Sequence, residues 1–344
     1  MKTPRIPHLI LAAFCWLLTI SGAFAQGTLS IFSWSEYIPQ TVIDKFQEST
    51  GIKVSLENYA SNEEMLAKLV SGGSYDLIQP SEYTIEALIK ENLLQPLDLS
   101  AIPNLKNIAP EYLNLSFDPA NKYSVPWMVG SVGIVVNTAK IKEPITGYAD
   151  LFQEKYKRRI VVLDDARELV SAALGSLGIT FNDITTENLG KARGVLAKWL
   201  PLVKVYDSDS PKTSLLNGDT DLGLVWSGEG ALLLREDKKF KWVVPKESSH
   251  QFIDSLAVPK KSKNKANAEK FINFILQPEI SALISADFPY TNPNLEARKL
   301  LSPEDLANPA SYPPAEDAAK LKLFKDIGKL ASDVDALVTD LRAD

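Results

Sequence analysis

Acids and aromatic rings recur together at a few separated points of this chain. They are Trp34, Ser35, Glu36 and Tyr37; Ser81 and Tyr83; Asp164, Asp165 and Glu168; Trp226; Phe252 and Asp254; and Tyr290. An alkyl-ammonium ligand needs both residue classes. Each ammonium must exchange its water for carboxylate oxygens or aromatic faces, or desolvation defeats binding. A cation over a tryptophan or tyrosine face gains roughly 0.5–2 kcal/mol. The same rings cover methylene groups at about 0.8 kcal/mol per buried CH₂. Several carboxylates gathered in one closed cleft repel one another unless a multiply charged cation neutralises them.

Simpler roles stand beside this one. Trp34, Tyr37 and Trp226 are large enough to serve as core at strand ends. Asp165 and Glu168 have capping-box spacing at a helix start. That role is compatible with ligand contact, because a positive helix terminus would keep both carboxylates ionised. Ser81 reads as a helix N-cap. Asp254, flanked by Ile253 and Leu256, would be costly if buried without a partner, which favours a functional role. Glu229 reads as a solvated loop residue, Lys260, Lys261, Lys263 and Lys265 as a solvated loop, and Arg167 stays outside the site.

The elements that must position these residues follow an alternating pattern. Leu29 to Ser33 reads as a buried strand, and a helix follows from about Pro39 to Thr50 with Val42, Ile43 and Phe46 on one face and Gly51 ending it. Ile52, Val54 and Leu56 alternate with Lys53, Ser55 and Glu57, the period of a half-buried strand. Ser61 and Glu64 have capping-box spacing before Met65, Leu66, Leu69 and Val70. Asp76 to Gln79 returns as a strand and Ser81 opens another helix. Arg159 to Leu163 and Asp221 to Trp226 repeat the strand-then-helix order. Such alternation predicts a parallel sheet covered by helices, with ligands beyond the carboxyl ends of the strands. Ser131 to Asn137 and Ser255 to Val258 are apolar extended segments suited to a two-crossover hinge. Beyond Pro314 the pattern predicts an amphipathic helix with Leu321, Phe324, Ile327 and Leu330 or Leu337 on its apolar side.

Composition narrows the function classes. The first 25 residues carry Lys2 and Arg5, an apolar run from Leu9 to Ile20, and Ala23-Phe24-Ala25, which predicts an export signal cleaved before Gln26. The run is too short for a comfortable membrane span, and Cys15 inside it is the only cysteine of the chain. Without that segment the protein has no disulfide, thiolate nucleophile or cysteine metal site. Asp and Glu number 43 against 37 Lys and Arg, which disfavours nucleic acid and anionic membranes and mildly favours cationic ligands. His250 is the only histidine beyond the leader, so clustered histidine metal sites are excluded, and no cofactor is indicated.

The chain resembles the periplasmic spermidine/putrescine-binding proteins of polyamine ABC transporters over nearly all of its mature length. The similarity runs through WSEYIP at 34–39, TGIKV at 50–54, YDLIQPSEY at 75–83, FDP at 117–119, LDDARE at 163–168, DSLAVP at 254–259 and NPNLEARKLLSP at 292–303. The resemblance implies an α/β type II periplasmic-binding-protein fold, two α/β lobes joined by a two-crossover hinge. It places residues 26–134 and about 256–310 in lobe 1, about 135–255 in lobe 2, and packs 311–344 as a C-terminal helical segment on the lobes. It also implies an exported, periplasmic, monomeric protein that binds a polyamine between the lobes and docks on an ABC permease.

Carried over residue by residue, Trp34, Ser35, Glu36 and Tyr37 match the first ligand-contacting segment and Ser81 and Tyr83 the second. Asp165 and Glu168 match an acidic pair at one end of the ligand, Trp226 and Tyr290 match cleft aromatics, and Asp254 matches the acid that anchors an amine. Three positions depart from the spermidine-type pattern. Phe252 stands where spermidine binders carry tryptophan, Phe324 replaces a glutamine, and Val129 with Trp127 differs from the family's aromatic arrangement. Spermidine is favoured over putrescine, with another diamine or guanidino amine, or a polyamine sensor, as the alternatives. The rival outside binding proteins is a hydrolase using Asp165 and Glu168 as acid and base, for which no activated nucleophile or histidine partner motif is present. Ferric-type sites need tyrosine pairs, and no two tyrosines are adjacent.

Overall fold

The computed structural model describes residues 27–343; the predicted signal segment and its cleavage point lie outside them. Ten strands form one curled sheet: β1 (Thr28–Trp34), β2 (Lys53–Tyr59), β3 (Leu77–Ile78), β4 (Ser124–Asn137), β5 (Ile160–Val162), β6 (Val203–Tyr206), β7 (Leu222–Trp226), β8 (Phe240–Val243), β9 (Ser249–Ala257) and β10 (Leu321–Lys322). Their order is β2-β1-β3-β9-β4-β7-β5-β6, with β8 on β4 and β10 on β9.

The expected parallel pattern holds at both ends of the sheet, where β1 pairs β2 and β3, and β5 pairs β6 and β7. The centre is antiparallel instead, because β4 runs against β9, β7 and β8. The alternating strand–helix signal covers only βαβ units, and β4 and β9 belong to none.

Those two strands are the segments read as connections, extended into long strands. All of β4 is buried. Val125, Trp127 and Met128 pack in a core with β1, β3 and the Gln40–Thr50 and Lys265–Ile275 helices, whereas Val132, Ile134 and Val136 pack in a core with β5, β7 and the Ala166–Ser176 helix. The chain therefore passes from one core to the other between Met128 and Val132. The ladder with β9 shifts register between Pro126 and Met128, as expected where proline cannot donate an N–H.

The first two predicted helices keep close to the limits their sequences indicate. Gly51 ends the first helix in the left-handed conformation at φ 70°, the conformation glycine adopts without steric cost. Ser61 caps the Asn62–Val70 helix by accepting from the Glu64 N–H. The C-terminal expectation was too simple. The Ala315–Ala318 turn gives way to β10, which pairs in parallel with Ser249 and His250 of β9, and the long helix begins only at Leu330. Gly328, at φ 55°, breaks the apolar periodicity, and Phe324 leaves the helical face to stack on His250.

Candidate functional site

A cleft opens between the two cores, and every residue singled out for ligand contact lines it: Trp34, Ser35, Glu36, Tyr37, Ser81, Tyr83, Asp165, Glu168, Trp226, Phe252, Asp254 and Tyr290. The strand ends place them. Trp34 closes β1, and its indole Nε1 donates to the Gln79 carbonyl at 2.9 Å. Trp226 closes β7 and touches both cores, donating to the Ser208 carbonyl at 2.9 Å. The core and ligand readings of these rings do not conflict, since each is only partly buried, packs against core residues and also lines the cleft.

The rings form a continuous wall. Trp34 lies against Tyr59 with centroids 4.6 Å apart, Tyr37 against Tyr290 at 5.3 Å, and Phe252 meets Trp226 edge-on at 5.6 Å and Tyr290 at 5.8 Å. Two glycines make room for this wall. A Cβ at Gly228 would sit 2.5 Å from the Tyr290 ring, and one at Gly130 would fall on the Phe252 ring. Gly228→Ala should therefore displace Tyr290 and weaken ligand binding by tenfold or more, readable by calorimetry, with little loss of helix content.

Glu36 sits in the turn after β1 at φ 51°. A non-glycine residue in this region costs roughly 1 kcal/mol or more, and such strain gathers at functional sites. Its Oε2 accepts from Lys212 Nζ at 2.9 Å.

Asp254 is the most confined acid of the cleft, at 1% exposure. Its oxygens accept from the Tyr37 hydroxyl and the Ser81 hydroxyl, both at 2.7 Å. Asn62 Nδ2 in turn donates to Ser81 Oγ at 3.1 Å and to Tyr83 Oη at 2.8 Å. Ser81 does occupy the N-cap position of the Glu82–Lys90 helix, but its hydroxyl makes no capping bond, being committed to Asp254. Burial pushes the Asp254 carboxyl up to about 7, although Ser81 and Tyr37 donate to it and pull the other way. Burial and the charge of Asp254 push the Tyr37 phenol well above its ordinary value.

Asp165 caps the Ala166–Ser176 helix by accepting from the Glu168 N–H at 3.0 Å. The helix terminus is one influence on Asp165 among several, and not the largest. Burial, with the neighbouring carboxylates of Glu168 and Glu63, raises Asp165 to about 7 and outweighs the backbone hydrogen bond. Asp165 and Asp254 appear in no ion pair among the described residues.

The side chain of Glu168 does not close a reciprocal capping box. It meets His250 Nδ1 at 2.5 Å, while His250 Nε2 lies 3.1 Å from Glu82. Glu82 also accepts from the backbone N–H groups of Ile253 and Phe324, both at 3.0 Å. Phe324 stacks on the imidazole with centroids 3.5 Å apart. Burial disfavours a charged imidazole, but Glu168 and Glu82 outweigh it and bring His250 to about 9. Arg167, left outside the site, is buried with its guanidinium 4.6 Å over the Phe324 ring.

Sequence reasoning missed several lining residues. Tyr59 ends β2, a strand end the same rule covers, and its hydroxyl donates to the Gln79 carbonyl at 2.7 Å. Glu229 is no solvated loop residue: it lies buried in the Ser227–Glu236 helix, bound to Lys212 at 2.9 Å. Asn62 and His250 also line the cleft. His250 carried the clearest available signal, as the only histidine among the described residues; Lys212 carried none. Among the described residues no group of three His, Cys, Asp or Glu side chains could hold a metal ion, and no helix is long and apolar enough to cross a membrane.

A model of the bacterial extracellular solute-binding proteins matches residues 41–314. The spermidine/putrescine-binding periplasmic protein of Salmonella typhimurium is 38% identical over 97% of both chains. A solved structure from Listeria monocytogenes shares a TM-score of 0.89 at 36% identity, covering 92% of this chain and 98% of its own. The spermidine/putrescine ABC transporter substrate-binding protein of Streptococcus pneumoniae shares 0.78 at 35% identity, over 92% and 99%. The fold is thus the α/β periplasmic-binding-protein fold that the resemblance implied.

Proposed function

The chain belongs to the bacterial extracellular solute-binding proteins, and on that premise we propose that it captures a polyamine in the cleft and delivers it to an ABC importer. The observation that carries this reading is Asp254: a buried carboxylate with two hydroxyl donors, no ion-pair partner among the described residues, and aromatic rings around it. A desolvated carboxylate of this kind destabilises the empty cleft until an ammonium arrives. Trp34 and Tyr37, beside Glu36, form the wall at one end of the cleft, and Trp226, Glu168 and the two acids Asp165 and Asp254 surround the rest. Closure of two lobes, bounded as the resemblance implies near residues 134 and 256, brings these groups together, and the closed monomer docks on its permease. The protein acts in the periplasm after removal of residues 1–25.

Binding fits the site better than hydrolysis. Both ring nitrogens of His250 are engaged by carboxylates, so it has no free nitrogen with which to act as a general base. The names of the relatives are those of binding and transport proteins.

A thermal-shift panel of polyamines, amino acids and metal ions on ligand-stripped protein tests the reading. Polyamines should raise the unfolding temperature, by mass action on the folded state; a flat response to every polyamine overturns the proposal. Affinity should also depend on pH. An ammonium pairs with ionised carboxylates, and Asp165 and Asp254 each reach about 7 in the empty cleft. Lowering the pH from 8 to 6 should then weaken binding about tenfold per acid engaged, up to about a hundredfold for both. Calorimetry at pH 6, 7 and 8 reads this, and a pH-independent affinity counts against pairing with those two acids.

A further inference from the structure

Two cations of the chain itself already sit on carboxylates of the cleft. Lys212 opens the short Lys212–Leu216 helix. Its Nζ donates to Glu36 Oε2 at 2.9 Å, to Glu229 Oε1 at 2.9 Å and Oε2 at 3.1 Å, and to Ser210 Oγ at 3.0 Å. Its side chain is only 17% exposed. At another point His250 lies between Glu82 and Glu168. The remaining acids of the lining are Asp165 and Asp254, which have no ion-pair partner among the described residues, and Asp209, which is exposed.

We propose that Lys212 is a built-in ammonium that fills one cation position of the cleft, so that together with His250 it limits a ligand to two ammonium groups and selects a diamine over a triamine. This rests on the polyamine reading above and refines it.

A third ligand ammonium would have to pair with Glu36 and Glu229, the acids Lys212 bridges. It would gain there only what the lysine loses. Lys212 competes at the high effective concentration of a short tether, and its own backbone N–H also donates to Glu229 Oε2 at 3.3 Å. Although burial opposes its charge, the Glu229 and Glu36 carboxylates outweigh it and hold the ammonium above its ordinary range. His250 cannot swing aside, being stacked on Phe324 and held on both nitrogens. Two carboxylates therefore remain for two ammonium groups, and the aromatic wall between them suits the intervening methylenes.

Titration calorimetry at pH 8 with putrescine and with spermidine tests this on the wild type, Lys212→Met and Lys212→Arg, with melting curves to verify folding and Lys212→Gln as the substitute if the methionine variant does not fold. The wild type should bind putrescine more tightly. Lys212→Met should shift the affinity ratio at least tenfold towards spermidine, and Lys212→Arg, which keeps the cation, should leave the ratio near that of the wild type. Spermidine bound at least as tightly as putrescine by the wild type, or a ratio unmoved by the loss of the lysine, overturns the proposal while leaving polyamine binding intact. Silence towards both amines overturns the polyamine reading as well.

Discussion

Asp254→Asn should weaken binding of putrescine and spermidine by about 30-fold or more, equivalent to about 2 kcal/mol, while leaving the empty protein as stable as before or more so. Asparagine keeps the shape of the side chain. Its carbonyl still accepts from one of the two hydroxyls that now reach Asp254 at 2.7 Å. The other hydroxyl rotates to accept from the new amide, since a hydroxyl both donates and accepts. Only the charge is lost, and with it the attraction for an ammonium. In the empty cleft that charge is a burden. An acid raised from 3.8 to about 7 by burial makes the folded state bind protons more tightly than the unfolded state. Its effect is to lower stability as pH rises from about 4 to 7. The variant should therefore melt higher than wild type at pH 8 and alike at pH 4. Calorimetry and melting curves together separate this from misfolding. Unchanged affinity would remove Asp254 from the site.

How far the sequence carried this picture depended on the distance over which each signal acts. Helix caps are local, so Ser61 and Gly51 could be read directly; the alternation of Ile52, Val54 and Leu56 located β2 but not its burial, because Leu56 is exposed. The strand-end rule is one step longer, and it gathered Trp34, Ser81, Asp165 and Trp226 onto one cleft. Asp254 and Tyr290, which no strand-end rule reaches, came from the pairing of acids with rings and from the cost of burying Asp254, and the resemblance gave them their places in the cleft. What stayed hidden were pairings across the cleft. Lys212 meets Glu36 across 176 residues of chain, and His250 meets Glu82 across 168. Neither contact leaves a periodicity, and a lone lysine looks like a solvated one. The C-terminal segment misled for a related reason. Leu321 and Phe324 have helical spacing, but they answer to β9 and His250, not to each other.

The same hidden pairing yields the largest expected loss of stability. His250→Gln should destabilise the folded protein by about 3–5 kcal/mol at neutral pH, the range for stripping the partner from a buried charge pair. The imidazole is 4% exposed and lies between Glu168 and Glu82, with Arg167 over the ring of Phe324 and Asp254 further along β9. Glutamine can donate from one amide nitrogen only, so at least one of the two glutamates loses its partner, and the flat stack on Phe324 is lost as well. The pH dependence gives the signature. A histidine raised from 6.5 to about 9 by its carboxylates contributes stability that is fully present below about 6.5 and lost as pH rises through about 9. At about 1.4 kcal/mol per unit, the loss across that window is roughly 3 kcal/mol. Wild-type unfolding in urea, followed from pH 8 to 10, above the range in which Asp165 and Asp254 titrate, should show the upper part of this decline, and His250→Gln should be weak throughout and much flatter there. Equal slopes in the two proteins would mean that His250 is neutral between its glutamates, and the built-in cation at this point of the cleft would have to be abandoned.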